Sequence, residues 1–129
     1  VPLISCTVVS GIPVTQLLGK EKLDAIVTRT RSGGAEIVAH LKTGSAYYAP
    51  SAAAVQMVEA IVLDKHRVLP CAAWLQGEYG LKDVFCGVPC KIGRAGLEQI
   101  IEVTLTDQER KDLHASAEAV RSIQAGLSI

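Results

Sequence analysis

The sequence lacks a surplus of charge of either sign: 13 Lys and Arg residues are matched by 13 Asp and Glu. Phosphate binding needs an excess of cations, so the balance excludes nucleic acid as the main partner. No run approaches the roughly 18–20 consecutive apolar residues of a membrane span, and no membrane partner is expected. The opening segment, Val1 to Val9, has no basic n-region and no cleavage signature, so it does not read as a signal peptide. No C-x-x-C occurs among Cys6, Cys71, Cys86 and Cys90, and His40, His66 and His114 form no ligand pair with them. Zinc does not fit such spacing and no metal is expected. The thiols read as reduced, mostly buried residues of a cytoplasmic protein.

What is present can build a core. A chain that is 49% hydrophobic and 20% charged is too apolar and too neutral for disorder. Its 129 residues predict a single domain, residues 1–129. Such a domain buries roughly two-thirds of the surface its unfolded chain exposes. Met57 is the sole Met, so Val1 is not expected to arise directly from translation initiation. Ile4, Cys6 and Val8 alternate with Leu3, Ser5, Thr7 and Val9, which predicts a strand already under way at the first residue. That pattern suits a processed or excised piece of a longer polypeptide.

Gly11-Ile12-Pro13 closes this segment with a turn. Leu23, Ile26, Val27, Thr30, Gly34, Ile37, Val38 and Leu41 recur at helical spacing and predict a helix from about Lys20 to Lys42. Each interior Gly costs about 1 kcal/mol relative to Ala, so Gly33-Gly34 predicts a kink between two helical segments. After Thr43-Gly44, Ser45 or a near neighbour is a candidate cap for a second helix reaching about Leu63. Val55, Val58, Ile61 and Val62 form its stripe. Ser51 and Ala52 to Ala54 give it a small-residue face suited to a helix–helix or subunit contact.

From Arg67 the period becomes two. Val68 to Gln76 and Val84 to Ile92 read as strands joined by a hairpin-like connection over 77–83. A turn at Arg94-Ala95-Gly96 leads to a third strand, Leu97 to Leu105, and Pro70 and Pro89 warn of edges or bulges. Thr106-Asp107-Gln108-Glu109 is a capping box for a last helix striped by Leu113, Ala117, Val120, Ile123 and Leu127. The order predicts α+β: an antiparallel sheet packed against long helices.

Chemistry is sparse. A dinucleotide-binding G-x-G-x-x-G after a strand, a Walker A loop, a G-x-S-x-G elbow and an H-E-x-x-H helix are all missing. Gly44-Ser45 and Gly93-Arg94-Ala95-Gly96 are too short for phosphate loops. His40 and His114 read as surface or hydrogen-bonded histidines. His66, in Asp64-Lys65-His66-Arg67, reads as part of a solvated helix end.

Seven ordered blocks carry more. They are Val1-Pro2-Leu3, Ser10-Gly11-Ile12-Pro13-Val14, Gly33-Gly34-Ala35-Glu36-Ile37-Val38, Leu41 to Pro50, Arg67 to Ala73, Gly77-Glu78-Tyr79-Gly80 and Gly87-Val88-Pro89. Together they resemble the carboxy-terminal, substrate-binding domain of NAD-dependent malate dehydrogenase. The similarity is to the lactate-dehydrogenase-like bacterial branch of the lactate/malate dehydrogenase family.

The resemblance implies interconversion of malate and oxaloacetate with NAD, a place in the tricarboxylic acid cycle, and a homodimer or homotetramer. It places no catalytic residue in this chain. The relay His, the Asp that orients it and the substrate-clamping Arg are expected upstream of Val1, and a Rossmann domain expected there would bind most of the NAD. Ser45 matches a hydroxyl position beside the substrate carboxylate, where it could donate without adding charge. Ala49 and Pro50 match positions near the nicotinamide, where small apolar groups exclude water. The Gly33-Gly34 pair matches the place where the family's long helix bends over the pocket. The chain is expected to be inactive alone. Alternatives are a fragment of an L-lactate or other 2-hydroxyacid dehydrogenase, or a non-catalytic assembly module; the Tyr47-Tyr48-Ala49-Pro50 run favours malate.

Overall fold

The computed structural model describes residues 1–127, which fall into two compact units, Val1–Ala49 and a second that begins at Pro50. The first unit opens differently from the expected strand. Ile4–Cys6 form a 3-10 turn, because the Thr7 hydroxyl donates to the Leu3 carbonyl at 2.7 Å and the Thr7 amide to Ile4 at 3.2 Å. Local side-chain bonding of this kind competes with extended structure. Only β1 (Val8–Val9) and β2 (Ile12–Pro13) pair, as a small hairpin. Its two-residue loop, Ser10-Gly11, takes φ of 52° and 83°, as a hairpin twisting with its strands requires. A single turn, α1 (Val14–Leu17), follows and buries Val14.

The expected break at Gly33-Gly34 does not occur. Helix α2 (Lys20–Leu41) is continuous over 22 residues. Thr28 and Thr30 return their hydroxyls to the carbonyls of Asp24 and Ile26. Arg29 grips Glu36 through two bonds of 3.1 and 2.9 Å, which straddle both glycines. The bidentate pair thus spans the weakest stretch of the helix. A Cβ at Gly33 or Gly34 would meet nothing within 4 Å, so neither glycine serves a close contact within the described residues. The helix ends at Lys42, whose positive φ of 62° turns the chain away while its amide still donates to Val38.

The second helix, α3 (Tyr48–Val62), starts later than the sequence suggested and buries only Ala60. Beyond it lies the core of the second unit. Strands β3 (Arg67–Gln76), β4 (Lys82–Gly93) and β5 (Gly96–Ile100) form an antiparallel sheet in that order. Cys71 is opposite Val88, Ala73 opposite Cys86 and Leu75 opposite Val84. All six are buried, and Leu75, Val84 and Cys90 are fully so. The other face carries the pairs Pro70–Pro89, Ala72–Gly87 and Trp74–Phe85. The two large rings meet edge-on at 5.0 Å. The expected 77–83 connection contains a 3-10 turn, Glu78–Gly80, which places buried Tyr79 at φ 56°.

The third strand stops at Ile100 instead of running to Leu105, and Pro89 explains why. Ile101 donates its amide to the Pro89 carbonyl at 2.9 Å, so the backbone of Pro89 faces β5. Proline has no N–H to return, and the reciprocal ladder bond is lost. The Tyr79 hydroxyl takes its place, donating to the Ile101 carbonyl at 2.7 Å and accepting the Val103 amide at 3.0 Å. Residues 101–103 are therefore held by a side chain rather than a strand.

Helix α4 (Asp107–Gln124) carries the predicted capping box. Glu109 donates its amide to the Thr106 hydroxyl at 3.3 Å, and the Glu109 carboxylate accepts the Thr106 amide at 2.9 Å. Leu113 and Ala117 are buried, Val120 is half-buried, and Ile123 and Leu127 remain exposed, so the expected stripe is covered only over its first part. Among the described residues, no helix is long and apolar enough to cross a membrane.

Candidate functional site

The candidate residues lie on the segment that joins α2 to α3. Gly44 takes φ 83°, which lets the chain reverse after Lys42 without a Cβ clash. Ser45 follows in the loop, exposed, three residues before the first residue of α3; it does not sit at the position of that helix's cap. Its hydroxyl is thus presented by a loop. Ala49 and Pro50 occupy the first turn of α3 and are exposed. Proline is tolerated at Pro50 because amides in the first turn have no intrahelical acceptor. The segment offers the Ser45 hydroxyl, the phenols of Tyr47 and Tyr48, and the small apolar groups Ala49 and Pro50.

Sequence reasoning overlooked what flanks these residues. Ile37 and Leu41, one turn apart on α2, join Ala46, Tyr47, Tyr48 and Ala49 around a cavity of about 180 Å³. The Tyr47 and Tyr48 rings lie 4.6 Å apart at a 39° tilt. The signal was present in the i, i+4 spacing of Ile37 and Leu41 just before a Tyr-Tyr pair. The lining is apolar apart from the phenols. It can exclude water beside a ligand, but it offers no carboxylate or imidazole to move a proton.

The remaining candidate chemistry lies elsewhere. The His114 ring is 3.0 Å from the Tyr79 carbonyl, as a hydrogen-bonded histidine. His40 is exposed on α2. Cys71, Cys86 and Cys90 are buried, as expected, but Cys6 is exposed. Burial pushes the Cys86 and Cys90 thiols up, away from the thiolate a nucleophile needs. His66 lies between Asp64 and Glu98. Its two ring nitrogens face different carboxylates, and one possible ligand atom from each of Asp64, His66 and Glu98 lies within 4.8 Å of the others.

The described elements, helices and antiparallel sheets, make an α+β fold. The family model for the lactate/malate dehydrogenase alpha/beta C-terminal domain matches residues 1–127, and the chain belongs to this family.

A malate dehydrogenase from Roseiflexus castenholzii is 61% identical over 127 residues, covering 98% of this chain and 41% of that relative. The malate dehydrogenase structure from Salinibacter ruber superposes with a TM-score of 0.90 at 52% identity, over 95% of this chain and 40% of the other. A Cryptosporidium parvum lactate dehydrogenase, complexed with lactic acid and the cofactor β-nicotinamide adenine dinucleotide, superposes with a TM-score of 0.92 at 43% identity. That match covers 95% of this chain and 40% of the other. The chain spans about two-fifths of the length of these relatives.

Proposed function

We propose that this chain is the C-terminal substrate-binding domain, as one domain over residues 1–129, of an oxidoreductase interconverting malate and oxaloacetate with NAD. The observation that carries the reading is the 61% identity to a malate dehydrogenase across 98% of the chain. Lactate dehydrogenases share the fold at lower identity, 43% in the ligand-bound example, and supply the second reading.

The chain's own residues fit a pocket wall and not a nucleotide site. Among the described residues both sheets are antiparallel, without the parallel strand–glycine loop–helix unit that cradles a pyrophosphate. NAD, bound mainly by the rest of the enzyme, supplies the hydride chemistry. Within this chain the Ser45 hydroxyl donates to a substrate carboxylate, and Ala49 and Pro50 keep water from the nicotinamide face. The proton relay belongs to groups outside residues 1–129, so the domain alone does not turn over. In this reading the enzyme is a cytoplasmic homodimer or homotetramer in the tricarboxylic acid cycle. The apolar stripes over residues 20–63 contribute to its subunit contacts.

The test compares oxaloacetate with pyruvate as substrates of the complete enzyme with NADH. A preference for oxaloacetate supports the malate reading; a preference for pyruvate replaces it with the lactate one. Ser45→Ala should raise KM for oxaloacetate about tenfold, the loss expected for one hydrogen bond to a charged group. An unchanged KM removes Ser45 from the pocket. Turnover by the homogeneous 129-residue chain would refute the claim that it is inactive alone.

A further inference from the structure

Three donor side chains used by neither the core nor the proposed pocket meet at the end of the three-stranded sheet. The turn between α3 and β3 supplies Asp64 and His66, and β5 supplies Glu98, 32 residues beyond His66. One possible ligand atom from each lies within 4.8 Å of the other two, and His66 Nδ1 is already 2.8 Å from Glu98 Oε2. Asp64 and His66 both take positive φ, 51° and 48°, in a turn tight enough for both side chains to reach the β4–β5 hairpin. Gly93, buried at the end of β4, leaves open the space they share. A Cβ there would collide with Glu98 Oε1 and stand 2.7 Å from the Glu98 carboxyl carbon and 2.8 Å from His66 Nδ1. Any side chain at this position would fill the place where the imidazole and the carboxylate converge.

We propose that Asp64, His66 and Glu98 form a binding site for a divalent transition-metal ion, zinc above all, beside the open space at Gly93. The ion would fasten the turn after α3 to the closed end of the β4–β5 hairpin. Two carboxylates and one imidazole, with no thiolate, are donors that zinc accepts. The imidazole disfavours magnesium and calcium, which take oxygen ligands. Three protein ligands leave a position for water, and the His66 side chain, 48% exposed, gives an ion a path in.

Partners outside the cluster orient it. The Arg94 backbone amide donates to Asp64 Oδ1 at 2.8 Å. That bond holds Asp64, and the His66 bond holds Glu98, below the usual carboxylate range, so both ligands are ionised at neutral pH. An ion at His66 Nδ1 replaces any proton there and leaves the Nε2 proton to face Asp64 Oδ1 at 3.5 Å.

Lys91 is the competitor. Its Nζ lies 3.3 Å from Glu98 Oε2, on a flexible stem that can swing into water. Two ligand atoms of one zinc ion stand at most about 4.2 Å apart, so the cluster contracts by no more than about 0.6 Å as Lys91 leaves. This inference is independent of the reaction the domain serves.

The test titrates the complete protein with Zn²⁺ alone by calorimetry and follows the thermal midpoint with and without the ion. The parent should bind with saturation, and its midpoint should rise by about 2 °C. His66→Asn, which keeps a residue tolerant of positive φ, and Glu98→Gln should each lose one equivalent of Zn²⁺ per chain. The loss should exceed the roughly 10–100-fold cost of removing an outer partner. Lys91→Gln should bind the ion about fivefold more tightly, the order of one exposed ion pair. Cys6→Ser removes an exposed thiol able to take zinc and should leave the titration unchanged. Absence of saturable binding by the parent, a midpoint the ion does not raise, binding kept by either ligand variant, or binding lost in Cys6→Ser would each overturn the site. So would a Lys91→Gln variant that binds no more tightly than the parent, since the ion would then not compete for Glu98.

Discussion

On β3, β4 and α4 the apolar side chains are covered: Leu75, Val84, Cys90 and Ala117 all stand at 0% exposure. On α2 and α3 the equivalent residues are bare, with Ile26, Ile37, Val55 and Val58 between 42% and 57% exposed. Both regions carry regular apolar periods, so a period specifies the face to be covered and not what covers it. The sheet finds its cover in α4, a neighbour a few residues away along the chain. The stripes of the long helices stay largely exposed among the described residues.

The largest test of this contrast is truncation on each side of it. Leu75→Ala removes a fully buried side chain and should cost about 3 kcal/mol in denaturant unfolding. Val58→Ala on α3 should change the stability of the 129-residue chain by less than about 0.5 kcal/mol. Comparable losses at both sites would break the distinction.

Tyr79→Phe keeps the ring but deletes the hydroxyl shared by Ile101 and Val103, and should cost about 1–2 kcal/mol. Faster amide exchange at Val103 would locate the loss. Thr106→Ala, which opens the capping box, should cost about 1 kcal/mol and fray the start of α4, read by circular dichroism on heating.

The smallest effect has the opposite sign. Gly34→Ala meets empty space and should stabilise α2 in the isolated chain by about 0.5–1 kcal/mol. The same substitution sharpens the contrast if it weakens self-association of the complete protein in sedimentation, because a surface that needs the space of the missing methyl would then be revealed.

Much of the second unit was legible from sequence because alternation and capping are local. The alternate burial from Cys71 to Leu75 and from Val84 to Ile92, and the Thr106–Glu109 box, followed directly. The end of β5 did not, because it depends on Pro89 and Tyr79, separated in sequence from Ile101. The continuity of α2 was missed because propensity marks Gly33-Gly34 as weak while the Arg29–Glu36 pair that straddles it adds support. The opening residues were misread because a Thr7 side-chain bond outweighed an alternating pattern. For the site, composition and motifs offered nothing; Ser45, Ala49 and Pro50 came from the family resemblance, and the Tyr47–Tyr48 cavity emerged only when helix and loop were seen together.

The prolines set face to face at Pro70 and Pro89 have one more consequence. If the backbone of Pro89 faces β5, the ladder positions alternate so that the donor site of Pro70 faces outward, on the open side of β3. A ten-residue edge strand is otherwise a template on which another copy's strand can grow. The missing N–H at its centre breaks that template into two short stretches. Pro70 therefore interrupts the exposed ladder by which a further strand would pair along β3.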